Sequence, residues 1–381
     1  PRGPARGELD ENEEVDFLPM ADLHESGSIR IASTRRYEEV AKGYTAFRSG
    51  DVLVAKITPC FENNKIALAN ITTTWGFGST EFHVLRSGSE LDPTYLAHFL
   101  RQDSIREAGE KRMTGSAGQR RVPKAFFEEL QIPLPPLAEQ KRIAGILDQA
   151  DALRRLRARA LEKLNALGQA IFQEMFGTFH DDYGSWQLSR LDVLIADAQI
   201  GAVRGAKEMD DDKPVKYLRM DAIGTDGSLS LEKLRKVDAS QSDLEKYGLQ
   251  VGDLVFNTRN SQELVGKAAV VRTPFSGIYN NNILRMRFCE NMTADFLDAF
   301  LRTRKGQADL AAIKSGTTSV FAIYQKSLMM LDVPVPPPNH QRKYSDRMQE
   351  LSQARKRYTN AIEAAESLFA SLQHRAFRGE L

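Results

Sequence analysis

"IPLPPLAEQKRI", Ile132 to Ile143, sets Pro133, Pro135 and Pro136 directly before a basic, leucine-bearing stretch. The line returns as "VPVPPPNHQRKY", Val333 to Tyr344, displaced by 201 residues, so that Pro133, Pro135, Pro136 and Gln140 become Pro334, Pro336, Pro337 and Gln341. A chain of 381 residues that ends both halves with one line calls for a search for the rest of a repeat. "VDFLPMADL" (15–23) matches "VKYLRMDAI" (215–223), and "SGDVLVAKIT" (49–58) matches "VGDLVFNTRN" (251–260). "DPTYLAHFL" (92–100) matches "TADFLDAFL" (293–301), Lys65 falls on Lys267, and Gly115 on Gly316. Displacements of 200 to 202 held over this length mean one fold used twice. Residues 184–200 have no partner in the first half; it would precede Pro1, so a missing N-terminal segment is the expectation. Leu188, Leu191, Val193 and Ile195 are expected to pack as core.

Each half alternates strand-like pieces such as "DVLVAKI" and "DLVFN" with short helices. Gly50-Asp51 and Gly252-Asp253 read as turn chemistry, and Asp92-Pro93 as a helix start. "LQIPLPPL" and "LDVPVPPP" read as a last strand running into an extended proline connector. Pro136 or Pro337 can open the next helix, because a first-turn proline loses no helix bond. Beyond it, an apolar stripe runs Ile143, Ile146, Ala150, Leu153, Arg157, Ala160, Leu164, Leu167, Ile171. The second copy gives Tyr344, Arg347, Leu351, Ala354, Tyr358, Ala361, Ala365, Leu368, Leu372. Alternating steps of three and four are a heptad seam. Helices of roughly 50–60 Å, at 1.5 Å per residue, outrun the needs of one domain. The expected architecture is therefore α+β with a pseudo-two-fold internal repeat. Two globular α/β domains, 1–136 and 178–337, are joined by helices 137–177 and 338–381, which pair antiparallel as a coiled coil.

Composition narrows the function. At 41% hydrophobic and 27% charged the chain reads as soluble, with no apolar run near the roughly 20 residues of a membrane helix. Cys60 and Cys289 are too few for a disulfide framework and fit a reducing cytoplasm. Six histidines lack metal-ligand spacing. The net charge of +1 announces no polyanion, but Arg112, Arg120, Arg121 and Lys124 cluster. Arg154, Arg155, Arg157 and Arg159 also cluster, on a helix, where a solvated or partner-facing surface is expected. "GAVRGAK" (201–207) lacks P-loop spacing. "DPTY" (92–95) resembles the Asp-Pro-Pro-Tyr line of adenine methyltransferases but lacks the second proline, and "TADF" stands at its repeat position. No catalytic constellation emerges.

The proline line leading into a long helix, "TGSAGQRRV" upstream of it, and the C-terminal "AFRGEL" resemble the specificity subunits of type I DNA restriction–modification systems. The resemblance covers almost the whole chain, with "NHQRKY" a looser version of "AEQKRI". It implies two target-recognition domains, each reading half of a split double-stranded DNA site, and helices that set the spacer and dock two methyltransferase subunits. It implies a non-enzymatic chain with no cofactor of its own. S-adenosylmethionine would belong to the methyltransferase subunits, and ATP with Mg to restriction subunits. Because the halves differ in sequence, an asymmetric site is expected.

Base readers are sought where the copies share a polar loop but differ in letters. In the first half these are Lys56, Thr58, Asn63, Asn64, Lys65, then Arg112, Thr114, Ser116, Gln119 and Arg120. In the second they are Asn257, Arg259, Asn260, Gln262, Lys267, then Lys314, Thr317, Thr318 and Ser319. Arg35, Arg36 and Arg204 are weaker candidates for phosphate contacts. Leu147, Leu156, Leu161, Phe172 and Phe369 lie off the strict seam and mark either a methyltransferase interface or a wider seam. Two rival readings stand beside this one. One is a stand-alone two-domain sequence-specific DNA-binding protein; the other is a methyltransferase or nuclease with unusual motifs.

Overall fold

A computed structural model describes every residue except Ala32, Ala117, Glu232, Lys233, Thr317 and Thr318. The chain divides into two compact units, residues 1–157 with 361–381, and residues 158–360. Four helices matter below: α1 (Pro93–Leu100), α2 (Leu137–Phe176), α3 (Ala294–Leu301) and α4 (Pro338–Ala376).

In the first unit, β1 (Glu14–Leu18), β2 (Ser33–Arg36), β3 (Thr45–Phe47) and β6 (Gly76–Gly78) form a sheet in the order β2-β1-β6-β3. β4 (Val52–Ala55), β5 (Ile66–Leu68) and β7 (Phe82–Leu85) form a second, in the order β5-β4-β7. β4 reads VLVA and is buried on both faces, as a continuous apolar run requires. The turn before it is held by Asp51, 1% exposed, which accepts from the Arg48 backbone N–H at 2.7 Å and from two Arg86 nitrogens at 2.6 and 2.7 Å. Asp51→Ala leaves that guanidinium and N–H without their partner and is expected to cost about 2 kcal/mol, below the usual figure for a fully buried pair because Arg86 is partly exposed. Urea unfolding followed by Trp75, whose ring lies 4.0 Å from the Arg48 guanidinium, reports it; a loss under about 0.5 kcal/mol, the scale of a neutral surface change, would refute the role.

The second unit repeats the plan. β10 (Val215–Leu218), β11 (Arg235–Val237), β12 (Gly248–Leu249) and β16 (Phe275–Tyr279) take the order β11-β10-β16-β12. β13 (Leu254–Asn257), β15 (Ala268–Val270) and β17 (Ile283–Phe288) follow as β15-β13-β17, extended by β9 (Ile195–Ile200). Asp253 holds its turn as Asp51 does, with the Gln250 N–H at 2.8 Å and Arg287 at 2.7 and 3.1 Å. Two small sheets complete the unit. β8 (Leu188–Arg190) pairs with β20 (Asp332–Pro334), while β14 (Arg259–Asn260) and β18 (Ser315–Gly316) flank β19 (Phe321–Ala322).

Two local expectations need correction. Leu191 is buried, but Leu188 and Val193 are exposed and Ile195 only half-buried. Leu188 lies in a two-stranded ribbon and Val193 in a single helical turn, and neither covers more than one side. The second proline line forms a strand, β20, yet Ile132–Pro135 forms none. A strand needs a partner, and β20 finds it in β8, whose residues have no counterpart within the first unit.

Gln140 and Gln341, both fully buried, explain why the proline line is written twice. Gln140 donates to the Glu90 and Pro135 carbonyls, each at 2.8 Å, and accepts from the Asp92 N–H at 2.8 Å. Gln341 donates to Asn291 O at 3.0 Å and Pro336 O at 2.7 Å, and accepts from the Thr293 N–H at 2.9 Å. In each unit one amide binds the first turn of a long helix to the start of the helix that packs on it. Asp92 caps α1 through the Thr94 and Tyr95 N–H groups at 2.9 and 3.0 Å. Pro136 and Pro337 accept the first helical N–H bonds, from Gln140 and Gln341.

In the first unit, α2 and α4 run antiparallel and share a core with α1. Ile143, Ala144 and Leu147 meet Phe369, Ala376 and Phe377 there, against Tyr95, Leu96 and Phe99. In the second, Phe172 packs on Tyr344 at 5.6 Å, while Met348, Leu351, Phe296 and Phe300 join the same cluster. The seam is shifted from the one expected. Ile143, Leu164, Ile171, Leu351 and Leu372 face inward or half-inward, but Leu153, Leu167, Tyr358 and Leu368 are exposed and Ile146 only half-buried. Their places fall to Leu147, Arg154, Gly168, Met348, Arg355 and Phe369. Two adjacent phases share every seventh residue and differ only in stepping three or four; burial selects the step of four, which collects Leu147, Met348 and Phe369. Leu147, Phe172 and Phe369 are thus core, and among the apolar residues set off the seam only Leu156 is exposed. The basic run is largely absorbed too. Arg154 bonds Asp151 at 2.6 Å, Arg155 the Ser26 carbonyl at 2.6 Å, and Arg157 the Ala361 carbonyl at 2.8 Å.

Candidate nucleic-acid interface

β4 and β5 are joined by a loop that carries Lys56, Thr58, Asn63 and Asn64. A second loop, Met113–Val122, carries Thr114, Ser116, Gln119 and Arg120. Some fifty residues apart in sequence, they are bound edge to edge. The Thr58 N–H donates to Arg120 O at 2.9 Å and the Val122 N–H to Lys56 O at 2.9 Å, while within the second loop Thr114 and Arg121 exchange two bonds at 3.0 and 2.8 Å. In the second unit β14 pairs with β19 and β19 with β18, placing Arg259 and Asn260 beside the loop that starts at Lys314. The Lys314 ammonium donates to Gln262 O at 3.1 Å and closes this tip. The repeat thus builds the same two-loop tip in each unit, from different letters.

Glycine is required where the second loop folds on itself. Gly115 has φ +124°, and a Cβ there would stand 2.9 Å from Gln119 O; a Cβ on Gly316 would stand 2.6 Å from Val320 O. Thr114, Ser116, Gln119, Arg259, Gln262 and Ser319 are exposed at the tips. Thr317 and Thr318 lie outside the described residues. Arg121 grips Glu81 at 2.9 and 2.8 Å, and that bond holds the Glu81 carboxyl below the usual carboxylate range. Arg112 pairs with Glu129, and Arg120 with Glu62 at 3.7 Å. The Lys56 ammonium donates to Thr80 O at 2.7 Å, the Thr58 hydroxyl to Glu62 at 2.8 Å, and the Asn63 amide to Glu25 at 2.8 Å.

Other candidates are internal. Asn257 is fully buried at the end of β13, with its carbonyl oxygen on the Arg259 N–H. Lys65 and Lys267 turn inward to the Met20 and Met220 carbonyls at 3.3 and 3.4 Å, and burial pulls the Lys267 ammonium below its ordinary pKa. Asn64 takes a left-handed turn conformation, φ +56°, and bonds Arg101 O at 3.2 Å. Among the phosphate candidates, Arg36 and Arg204 are paired with Glu38 and Asp243 at 3.0 and 2.9 Å, while Arg35 lies over the Phe17 ring. Val320 and Tyr324, both more than half exposed beside β19, were missed, because apolar and aromatic letters next to a strand read as core. Among the described residues no group of histidine, cysteine or carboxylate side chains is arranged to hold a metal, and no helix is long and apolar enough to cross a membrane.

Each unit joins a polar two-loop tip to a core that it shares with the long helices. Residues 2–166 match the family model described as type I restriction modification DNA specificity domain, and the chain resembles the specificity subunits of type I restriction enzymes. The EcoAI specificity subunit of Escherichia coli is 38% identical over 185 residues, 47% of this chain and 31% of that one. The EcoKI specificity subunit of Escherichia coli strain K12 is 24% identical over 317 residues, 78% of this chain and 68% of the relative. This chain therefore spans about a third of the EcoAI subunit in their match, and a larger share of the EcoKI subunit. The S subunit of a type I restriction-modification system from M. genitalium shares the fold, with a TM-score of 0.57 at 14% identity over 98% of this chain and 92% of that one.

Proposed function

We propose that this chain is the DNA sequence-specificity subunit of a cytoplasmic type I restriction–modification complex. The observation that carries the reading is the tip: two loops distant in sequence, joined in the same way in both units and lettered differently in each. Each tip reads one half of a split, asymmetric double-stranded site. Thr114, Ser116, Gln119 and Arg120 are the readers in the first unit; Arg259, Asn260, Gln262 and Ser319 are those in the second. Side chains of these types reach base edges, while Lys and Arg on phosphates set register. The chain itself carries no chemistry. Two methyltransferase subunits supply S-adenosylmethionine chemistry, and restriction subunits supply ATP-driven cleavage. Exposed Leu153, Leu156 and Leu368 on the long helices support a docking role there.

Co-purification tests the assignment: methyltransferase subunits should travel with the chain at moderate salt, and a chain that purifies alone from its host would contradict it. The spacer role has its own test. Four residues inserted next to Ala160 add about 6 Å of helix. The preferred gap between half-sites should lengthen, or binding should fail by a factor of ten or more in a gel-shift series of spacer lengths. An unchanged optimum would reject the helices as a ruler.

A further inference from the structure

The tip of the second unit carries an apolar face where the first unit is polar. β19 is flanked by β14 and β18, and Ala322 stands opposite both Arg259 and Ser315. Ile323 is buried in the core of the unit, and Phe321 packs on that core. Side chains alternate along a strand, so Val320, Ala322 and Tyr324 point outward, on the face of Arg259 and Ser315. Exposure agrees: Val320 is 52% and Tyr324 56% exposed, and Arg259 and Ser315 are exposed beside them. Ala322 is a small floor, with Val320 and the Tyr324 ring along the strand and two polar side chains across it. The first unit sets other letters on the same backbone. Ile57 and Thr114 bridge to Arg121 as Arg259 and Ser315 pair with Ala322. Gln119 therefore stands in the place of Val320, and Pro123 in the place of Tyr324. Arg121, held by Glu81, replaces the alanine floor.

One exposed apolar side chain on a surface needs no explanation; two that flank an alanine on a polar tip do. Valine neither donates nor accepts a hydrogen bond. Set against a polar base edge it would displace water and leave that group unpaired. Of the groups that base pairs present in the major groove, one is apolar, the C5-methyl of thymine. On the footing that the tips read DNA, we propose that Val320 determines specificity: the outward face of β19 receives a thymine methyl, which rests on Ala322 between Val320 and Tyr324. The half-site read by the second unit then contains an A·T pair in a fixed orientation. The first unit, with Gln119 and Arg121 at the equivalent places, reads by hydrogen bonds there instead.

Gel-shift competition with the full chain, together with any subunits that purify with it, tests this. Each thymine of the recognised duplex, on both strands, is replaced in turn by deoxyuridine, which lacks only the methyl. One replacement, in one half of the site, should weaken binding about fourfold, the worth of one buried methyl group. In Val320→Gln, which carries the first unit's letter, that preference for thymine over deoxyuridine should vanish. The same loss is expected in Val320→Ala, which adds no polar group. A recognised sequence without such a thymine, or a deoxyuridine effect that both variants leave intact, would overturn the proposal while the tips remain DNA readers. Binding without preference for any sequence would overturn the proposal and the reading of the tips together.

Discussion

Exchange of residues 178–336 for the equivalent segment of a relative is expected to change one half of the recognised sequence and leave the other as it was. The segment holds both tip loops of the second unit, and none of the first unit's tip lies within it. Its core is completed by Phe172, Tyr344, Met348 and Leu351 from α2 and α4, so the exchanged piece must bring side chains that pack on that cluster. Each wrong base pair costs about 1–3 kcal/mol, so replacing a whole half-site should lower affinity for the original sequence by a factor on the order of 10³ or more. Binding to DNA libraries randomised in one half at a time measures it. If preference changed in both halves together, the one-unit, one-half-site reading would fail.

Gln341→Leu is expected to destabilise the second unit by about 3 kcal/mol. The substitution removes one buried amide and orphans three backbone groups, Asn291 O, Pro336 O and the Thr293 N–H, at roughly 1 kcal/mol each. Leucine fits the volume but supplies neither donor nor acceptor. In a Trp75→Phe background the remaining tryptophan, Trp186, lies in the second unit and follows its urea unfolding. A loss under about 1 kcal/mol would mean that the groups find other partners and that the amide is not the joint. Gln140→Leu should act on the first unit in the same way.

Much of this was legible in the sequence because the fold is written twice. Residues identical in the two copies proved to serve the fold: Asp51 and Asp253 in turns, Gln140 and Gln341 at the joints, Gly115 and Gly316 where a loop meets itself. The same rule would have removed Lys65 and Lys267 from the base readers, since both bind the turn that begins at Met20 or Met220. Asn257 misled because a polar letter after Phe256 reads as the start of a loop, while the strand in fact runs on through it. The seam phase was not legible, because steps of three and four share every seventh residue. Ile146 and Leu147 are both apolar, and only the opposing core decides which of the two is buried. The pairing of the two tip loops was also hidden: it consists of backbone bonds between segments over fifty residues apart, which no side-chain pattern records.

We propose that this chain directs adenine methylation to a split, asymmetric DNA sequence. Genome-wide mapping of methylated adenines in the host, with and without the gene, tests it most directly. Deletion should abolish methylation at one class of site, made of two unlike half-sites with a fixed gap between them. Methylation unchanged on deletion, or lost only at short uninterrupted sites, would contradict it.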